Sequence, residues 1–197
     1  MGSVANYLEN AVLDFVLSGS GLSVPTNLYV GLSTADPLDD HSGVAEPVGG
    51  SYARALANSW AAAASRITGN NAAVVFPTAS GSWGTITHWF ISDASSGGNI
   101  IAHGALSSPT SLSIVSGKTA RFTAGALVVE FLANGISDYL ANAILDHVFK
   151  VTPYTPPTNK YLGLSTQDPL SDESDLDEPV GNNYARPLAN SWAAASG

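Results

Sequence analysis

Apolar side chains at Leu8, Val12, Phe15 and Val16 recur at i, i+4, i+7 and i+8, the spacing that gathers them on one face of a helix. Gly19, Gly21 and Pro25 end that helix, because glycine suits the turn after a last helical residue and proline cannot continue the hydrogen-bond ladder. From Asn27 to Ser33 the period changes to two around Leu28, Val30 and Leu32, which predicts a strand. Tyr52, Leu56 and Trp60, separated by small residues, predict a second over Tyr52–Trp60. Short apolar runs follow at Ala72–Phe76, Gly84–Ser92, Asn99–Leu106, Ser111–Val115, Thr119–Thr123 and Leu127–Phe131, divided by Gly, Pro and Ser. Strands this short and this regularly interrupted predict a mainly β fold: an antiparallel β-sandwich or barrel with a short N-terminal amphipathic helix.

The pattern then begins again. Leu140, Ile144 and Val148 form the apolar stripe of a helix over Ile136–Phe149, entered through Ser137-Asp138 as a cap. Displaced by 132 residues, Tyr7–Ser65 aligns without a gap to Tyr139–Gly197, and 35 of the 59 pairs are identical. Such a period is too long for a solenoid and reads as duplication of a whole unit. Residues 66–131 have no second copy. The expected organisation is a complete β-rich unit at 1–132 and a partial second copy at 133–197, holding the helix and the first strands. His147 replaces Phe15 of the first copy, which reads as a relaxed packing position. Arg54 and Arg186 occupy equivalent places and are expected to pair with nearby acids or backbone carbonyls.

Charge narrows the function. Seven Lys and Arg against 16 Asp and Glu give a net charge of −9, the wrong sign for wrapping phosphates, so no nucleic-acid partner is expected. No apolar run approaches a membrane span, and Met1–Asn10 lacks the basic start of a secretory signal. Without cysteine there are no disulfides, thiolate chemistry or cysteine-ligated metals. The 45% of hydrophobic residues suffices for one good core.

Candidate chemistry is sparse, and no catalytic residue or cofactor is expected. Ser116-Gly117-Lys118-Thr119 looks like the tail of a phosphate loop, but Leu112 stands where that loop needs glycine, and a hairpin turn fits better. His41, His88, His103 and His147 are scattered; His88 and His103 lie on neighbouring predicted strands, where ordinary packing is favoured over a metal pair. The acidic loop after the first strand offers Asp36, Asp39, Asp40 and Glu46 as weak cation candidates, although their spacing is not that of a calcium-binding hand and a solvated loop is the plainer reading. Hydrolysis of a glycan would need two carboxyls fixed about 5–10 Å apart across a cleft, which a long exposed loop does not provide. Trp83, set among Gly81, Ser82 and Gly84, is expected at an exposed turn; Trp60 and its counterpart Trp192 are expected to pack.

Several strings carry a resemblance. Tyr7-Leu8-Glu9-Asn10, Leu28–Pro37 and Gly49–Arg54 are followed by Val75–Ala79, Ser82–Trp89, Ser92–Asn99 and Gly104–Leu106. Together they resemble a family of small bacteriophage virion proteins labelled tail-fibre-like, minor structural or capsid cement proteins. The resemblance implies a β-rich module, no catalysis and a place in the virion, and does not choose between head and tail. The leading reading is a cement or decoration protein on the capsid exterior, whose partners are the major capsid protein and other virion proteins. The alternative is a tail-fibre or tail-tip component contacting host surface glycans. A front half alone would leave strand edges and an apolar face open, so the second copy is expected to be covered by another subunit, as in a homodimer or homotrimer, or by the capsid; packing back on its own first unit is the alternative. Candidate contact residues are Trp83, Trp89, Leu140, Ile144, Val148, Tyr184 and Trp192.

Overall fold

The computed structural model describes residues 1–131 and 135–196. The first repeat opens with strand β1 (Gly2–Val4) and helix α1 (Asn6–Leu13), whose last turn widens to a π-helix at Asp14–Ser18 and stops at Gly19 with φ of 76°. Then come β2 (Tyr29–Ser33), β3 (Ala55–Leu56), β4 (Ile67–Gly69), β5 (Val74–Thr78), β6 (Gly84–Ile86), β7 (His88–Ser92), β8 (Ile100–Ala105), β9 (Leu112–Ile114), β10 (Thr119–Phe122) and β11 (Val128–Glu130). The second repeat contributes helix α2 (Asp138–Phe149). Seven strands form one curled sheet, a half-barrel in the order β3-β2-β7-β8-β1-β11-β4, with β10–β5 and β6–β9 as two small sheets.

The fold is mainly β, as the alternating pattern requires, with one departure from the antiparallel expectation. β1 lies between β8 and β11 and runs parallel to β11, pairing Gly2 with Val129 and Ser3 with Glu130. β1 and β4 carry one large apolar side chain apiece, Val4 and Ile67, so they leave no period in the hydrophobic pattern. The run Gly84–Ser92 is two strands: β6 pairs with β9 while β7 enters the middle of the main sheet, and Thr87 between them bonds to Ser33 and Leu106. Tyr52–Trp60 pairs as a strand only at Ala55–Leu56, with an isolated bridge from Trp60 to Asn70. The Ser116–Thr119 turn joins β9 to β10, which belong to different small sheets, so it is a turn but not a hairpin.

The core gathers Leu8 and Val12 of α1, Val30, Leu32, Trp89, Ile91 and Ile101 of the main sheet, and Val74, Phe76, Ile86, Ile114 and Ala120 of the small sheets. Each large aliphatic or aromatic side chain among these stabilises the fold by about 1.5–3 kcal/mol relative to exposure. The other face of the sheet is also covered: Phe90 packs with Ala5 and Ile100, and Val44 of the acidic loop lies against them. There β2 must carry glycine, because a Cβ on Gly31 would overlap the Phe90 ring.

Helix α2 closes onto the first repeat. The Ser137 hydroxyl accepts from the Leu140 amide, and Ile144, Leu145, Val148 and Phe149 are fully buried, with Leu140 partly so. Phe149 meets Trp60 edge to face with ring centroids 4.8 Å apart. Asp146 Oδ1 accepts from the Ala63 amide at 2.7 Å, and Asn142 Oδ1 from the Arg66 amide at 2.8 Å. Ile144 and Val148 of the stripe are therefore buried, and Leu140 half-buried, within their own chain, where α2 packs on the first unit, the alternative given above for this helix. His147 is not a relaxed position either. It is buried, its Nδ1 accepts from the Tyr154 amide at 2.9 Å, and its Nε2 lies 3.2 Å from the Leu22 carbonyl, an arrangement that places the ring proton on Nε2.

Candidate functional site

Two copies of one acid–base clamp dominate the polar architecture. In the first repeat, Arg54 grips Glu46 through Nε at 3.1 Å and Nη2 at 2.8 Å. The Tyr52 hydroxyl donates to Glu46 at 2.8 Å and accepts from the Leu32 amide of β2 at 2.9 Å. The remaining arm of the guanidinium, Nη1, donates to the carbonyls of Ala94 and Gly97 at 2.8 and 2.7 Å, in the turn between β7 and β8, and its carbon lies 4.9 Å above the Phe90 ring. Burial, reinforced by the Glu46 charge, pushes the Tyr52 phenol well above its ordinary range. The clamp fastens the acidic loop across the sheet.

The carboxylates that the sequence offers to a cation are each engaged with protein groups. Glu46 belongs to Arg54 and Tyr52. Asp40 Oδ1 accepts from both the amide and the hydroxyl of Ser42, which lowers its pKa. Asp36 accepts from the Leu38 amide and lies 3.9 Å from His88 and 3.8 Å from His103; Asp39 lies 2.9 Å from His103 Nε2. His88 and His103 do come from adjacent strands, and they meet the acidic loop at an open recess of about 230 Å³ beside Met1, Gly2 and Ser3. Among the described residues no group of three or more His, Cys, Asp or Glu side chains could hold a metal ion.

The tryptophan candidates separate. Trp83 is buried, not exposed at a turn: its indole donates to the Gly50 carbonyl at 2.8 Å and its ring stands edge-on to Tyr52 at 5.2 Å. The glycine that makes room for it is remote in sequence, since a Cβ on Gly50 would sit 3.1 Å from the indole. Trp89 is buried too, against Gly2 and Gly104. Tyr184 and Trp192 lie in the second repeat, which is a different environment.

There the Arg–Glu–Tyr part of the first repeat's network is rebuilt. Arg186 holds Glu178 through Nε at 2.8 Å and Nη2 at 2.6 Å, and the Tyr184 hydroxyl donates to Glu178 at 2.7 Å while accepting from the Leu164 amide at 2.9 Å. Arg54 and Arg186 thus occupy equivalent places and pair with equivalent acids. The bonds from Arg186 and Tyr184 draw the Glu178 carboxyl down from 4.5 to about 2. Trp192 donates to Ala189 as Trp60 does to Ala57, both at 2.6 Å. What differs is cover. Leu162, Leu164 and Trp192 are 56, 60 and 45% exposed, whereas their counterparts Val30, Leu32 and Trp60 are 0, 2 and 4% exposed. Leu162 and Leu164 are the residues that pattern reading passes over. Their signal is the repeat itself, since the strands that cover Val30 and Leu32 fall in residues 66–131, which occur once.

The molecule is therefore a duplicated β module of structural type, one repeat packed and the next half-open. The family described as podophage GP4 fiber I protein gp80 matches residues 3–130 and again residues 135–197, and the chain belongs to that family. It is a bacteriophage virion structural protein. No curated protein matches the chain. The family description speaks of a fibre and lends no support to the capsid-cement reading or to the capsid exterior.

Proposed function

We propose that the protein is a non-enzymatic structural component of the phage tail fibre, a β module joined to other virion proteins through its second repeat. The observation that carries this reading is the match of both repeats to a family described as a fibre protein. The polar architecture agrees with it, because Arg54, Tyr52 and Glu46 close on one another as a fastening between loop and sheet. The half-open second repeat supplies the contact surface that a fibre subunit needs, with Tyr184 holding the clamp and Trp192, Leu162 and Leu164 presenting apolar area. Immunogold electron microscopy of intact particles tests the proposal: label confined to the tail appendages is expected, and label distributed over the head returns the protein to the capsid.

A further inference from the structure

In the first repeat β2 is flanked by β3 on one edge and by β7 on the other, in the antiparallel register Tyr29 to Ser92, Gly31 to Phe90 and Ser33 to His88. Residues 161–165 keep the first of these edges: the Leu162 amide donates to Pro187 at 3.0 Å and the Leu164 amide to the Tyr184 hydroxyl at 2.9 Å. An extended chain turns its amides alternately to its two edges, so those of Tyr161, Gly163 and Ser165 face the side where β7 lies in the first repeat.

Three features of that side match β7. Gly31 is glycine because the Phe90 ring lies on it; Gly163 is also glycine, although the nearest atoms to a Cβ there are the tips of Glu178 and Arg186, at 3.1 and 3.5 Å. Arg54 gives Nη1 to two carbonyls of the β7–β8 turn and lies over Phe90, whereas Arg186 retains the Glu178 half of this arrangement and is 49% exposed against 6% for Arg54. Leu162 and Leu164 stand where Val30 and Leu32 pair in register with Ile91 and Trp89.

We infer that residues 161–165 are an acceptor edge for an antiparallel strand of the β7 kind, with an aromatic side chain seated on Gly163 and a following turn whose carbonyls bind Arg186. The occupant is a polypeptide segment of the type of residues 66–131, the back half of this module, whose β7 edge is not already paired with another front half. A second copy of this chain suits the site less well, because its own β7 is paired on both edges, with β2 and β8. Strand addition of this kind takes its affinity from main-chain hydrogen bonds and its selectivity from the side-chain seats. The inference concerns how the module is completed and holds wherever on the particle the protein resides.

The test uses the full chain, isotope-labelled, titrated with a synthetic peptide of the sequence Ile86–Asn99. Saturable NMR shifts are expected at Tyr161, Gly163, Ser165, the Leu162 and Leu164 methyls and Arg186, with hydrogen exchange at Gly163 and Ser165 slowed by about tenfold or more. The peptide carrying Phe90→Ala should bind at least about tenfold more weakly, and Gly163→Val in the chain should remove binding while leaving the first-repeat resonances in place. Equal binding by the two peptides, no saturable shift, or shifts centred on residues 29–33 would overturn the inference. Should the peptide aggregate, the full chain extended by a second copy of its own residues 66–131 gives the same decision: Gly163 and Ser165 should become as protected as Gly31 and Ser33, and continued fast exchange overturns the inference. A concentration-dependent dimer that forms without peptide and is lost in Gly163→Val would make a second copy the occupant and overturn the one assigned.

Discussion

Phe149, in the helix of the second repeat, lies edge to face against Trp60 of the first, with ring centroids 4.8 Å apart and planes inclined at 60°. The two repeats therefore share a core, and the boundary that the duplication draws near residue 132 is not a boundary of packing. Trp60 owes its cover to this neighbour. Trp192, the equivalent indole, has no described counterpart of Phe149 and stays half exposed.

Phe149→Ala should accordingly destabilise the whole chain by about 3–5 kcal/mol, the usual cost of an aromatic removed from a core. Trp192→Ala should cost less than about 1 kcal/mol, since its ring is only half covered. Denaturant unfolding followed by fluorescence distinguishes the two, and equal losses would show that the second repeat is as well packed as the first.

The paired glycines separate in the same way. Gly31→Ala drives a methyl into the Phe90 ring in a filled part of the sheet and should cost about 1–3 kcal/mol. Gly163→Ala meets only the movable tips of Glu178 and Arg186 and should stay within about 0.5 kcal/mol of the parent. Thermal melts of the two variants side by side check this.

The Tyr52 hydroxyl is the sole described acceptor for the buried end of the Leu32 amide, so Tyr52→Phe leaves a donor unsatisfied and should cost about 1–3 kcal/mol. Tyr184→Phe removes the same bond from an exposed site, where water replaces it, and should change stability by less than about 1 kcal/mol. Urea titration of both variants measures the difference.

For Glu178 the folded carboxyl sits at about 2, below its ordinary 4.5. A depressed carboxyl contributes stability that is complete above the unfolded value and is lost as pH falls toward the folded one. The Glu178–Arg186–Tyr184 clamp should hold at pH 4 and open only near pH 2, seen as a change in the Arg186 Nε resonance. A midpoint near 4.5 would mean that the clamp does not form in solution.

Much of this was legible in the residues. The helical stripe of Leu8 and Val12 and the alternation of Val30 and Leu32 announced α1 and β2, because each spans enough residues to reveal a period. β1 and β4 stayed hidden since a single large apolar side chain in each, Val4 and Ile67, reveals none. Trp83 misled because the glycines beside it mark a turn, whereas the glycine that seats its indole, Gly50, is remote in sequence. The stripe of Ile144 and Val148 told that something covers it but not what, and the covering surface proved to be the same chain. Head and tail share one kind of composition, so no residue could favour fibre over capsid; the family match does so. That Arg54 and Arg186 pair alike was readable from their standing at one repeat spacing, whereas their partners Glu46, Tyr52, Glu178 and Tyr184, and the open edge at Gly163, emerge only in space.

The parallel pairing of β1 with β11 bears on mechanics. The first repeat is entered at β1 and left at β11, and these neighbours run in the same direction. Force applied through the two ends of the repeat pulls them oppositely along their common axis, so their hydrogen bonds are loaded together in shear instead of being peeled open one at a time. Forced unfolding is governed by the rate of crossing the unfolding barrier and not by equilibrium stability. A module clasped in this way should withstand pulling along the chain longer than its modest strand lengths suggest, whatever it is joined to.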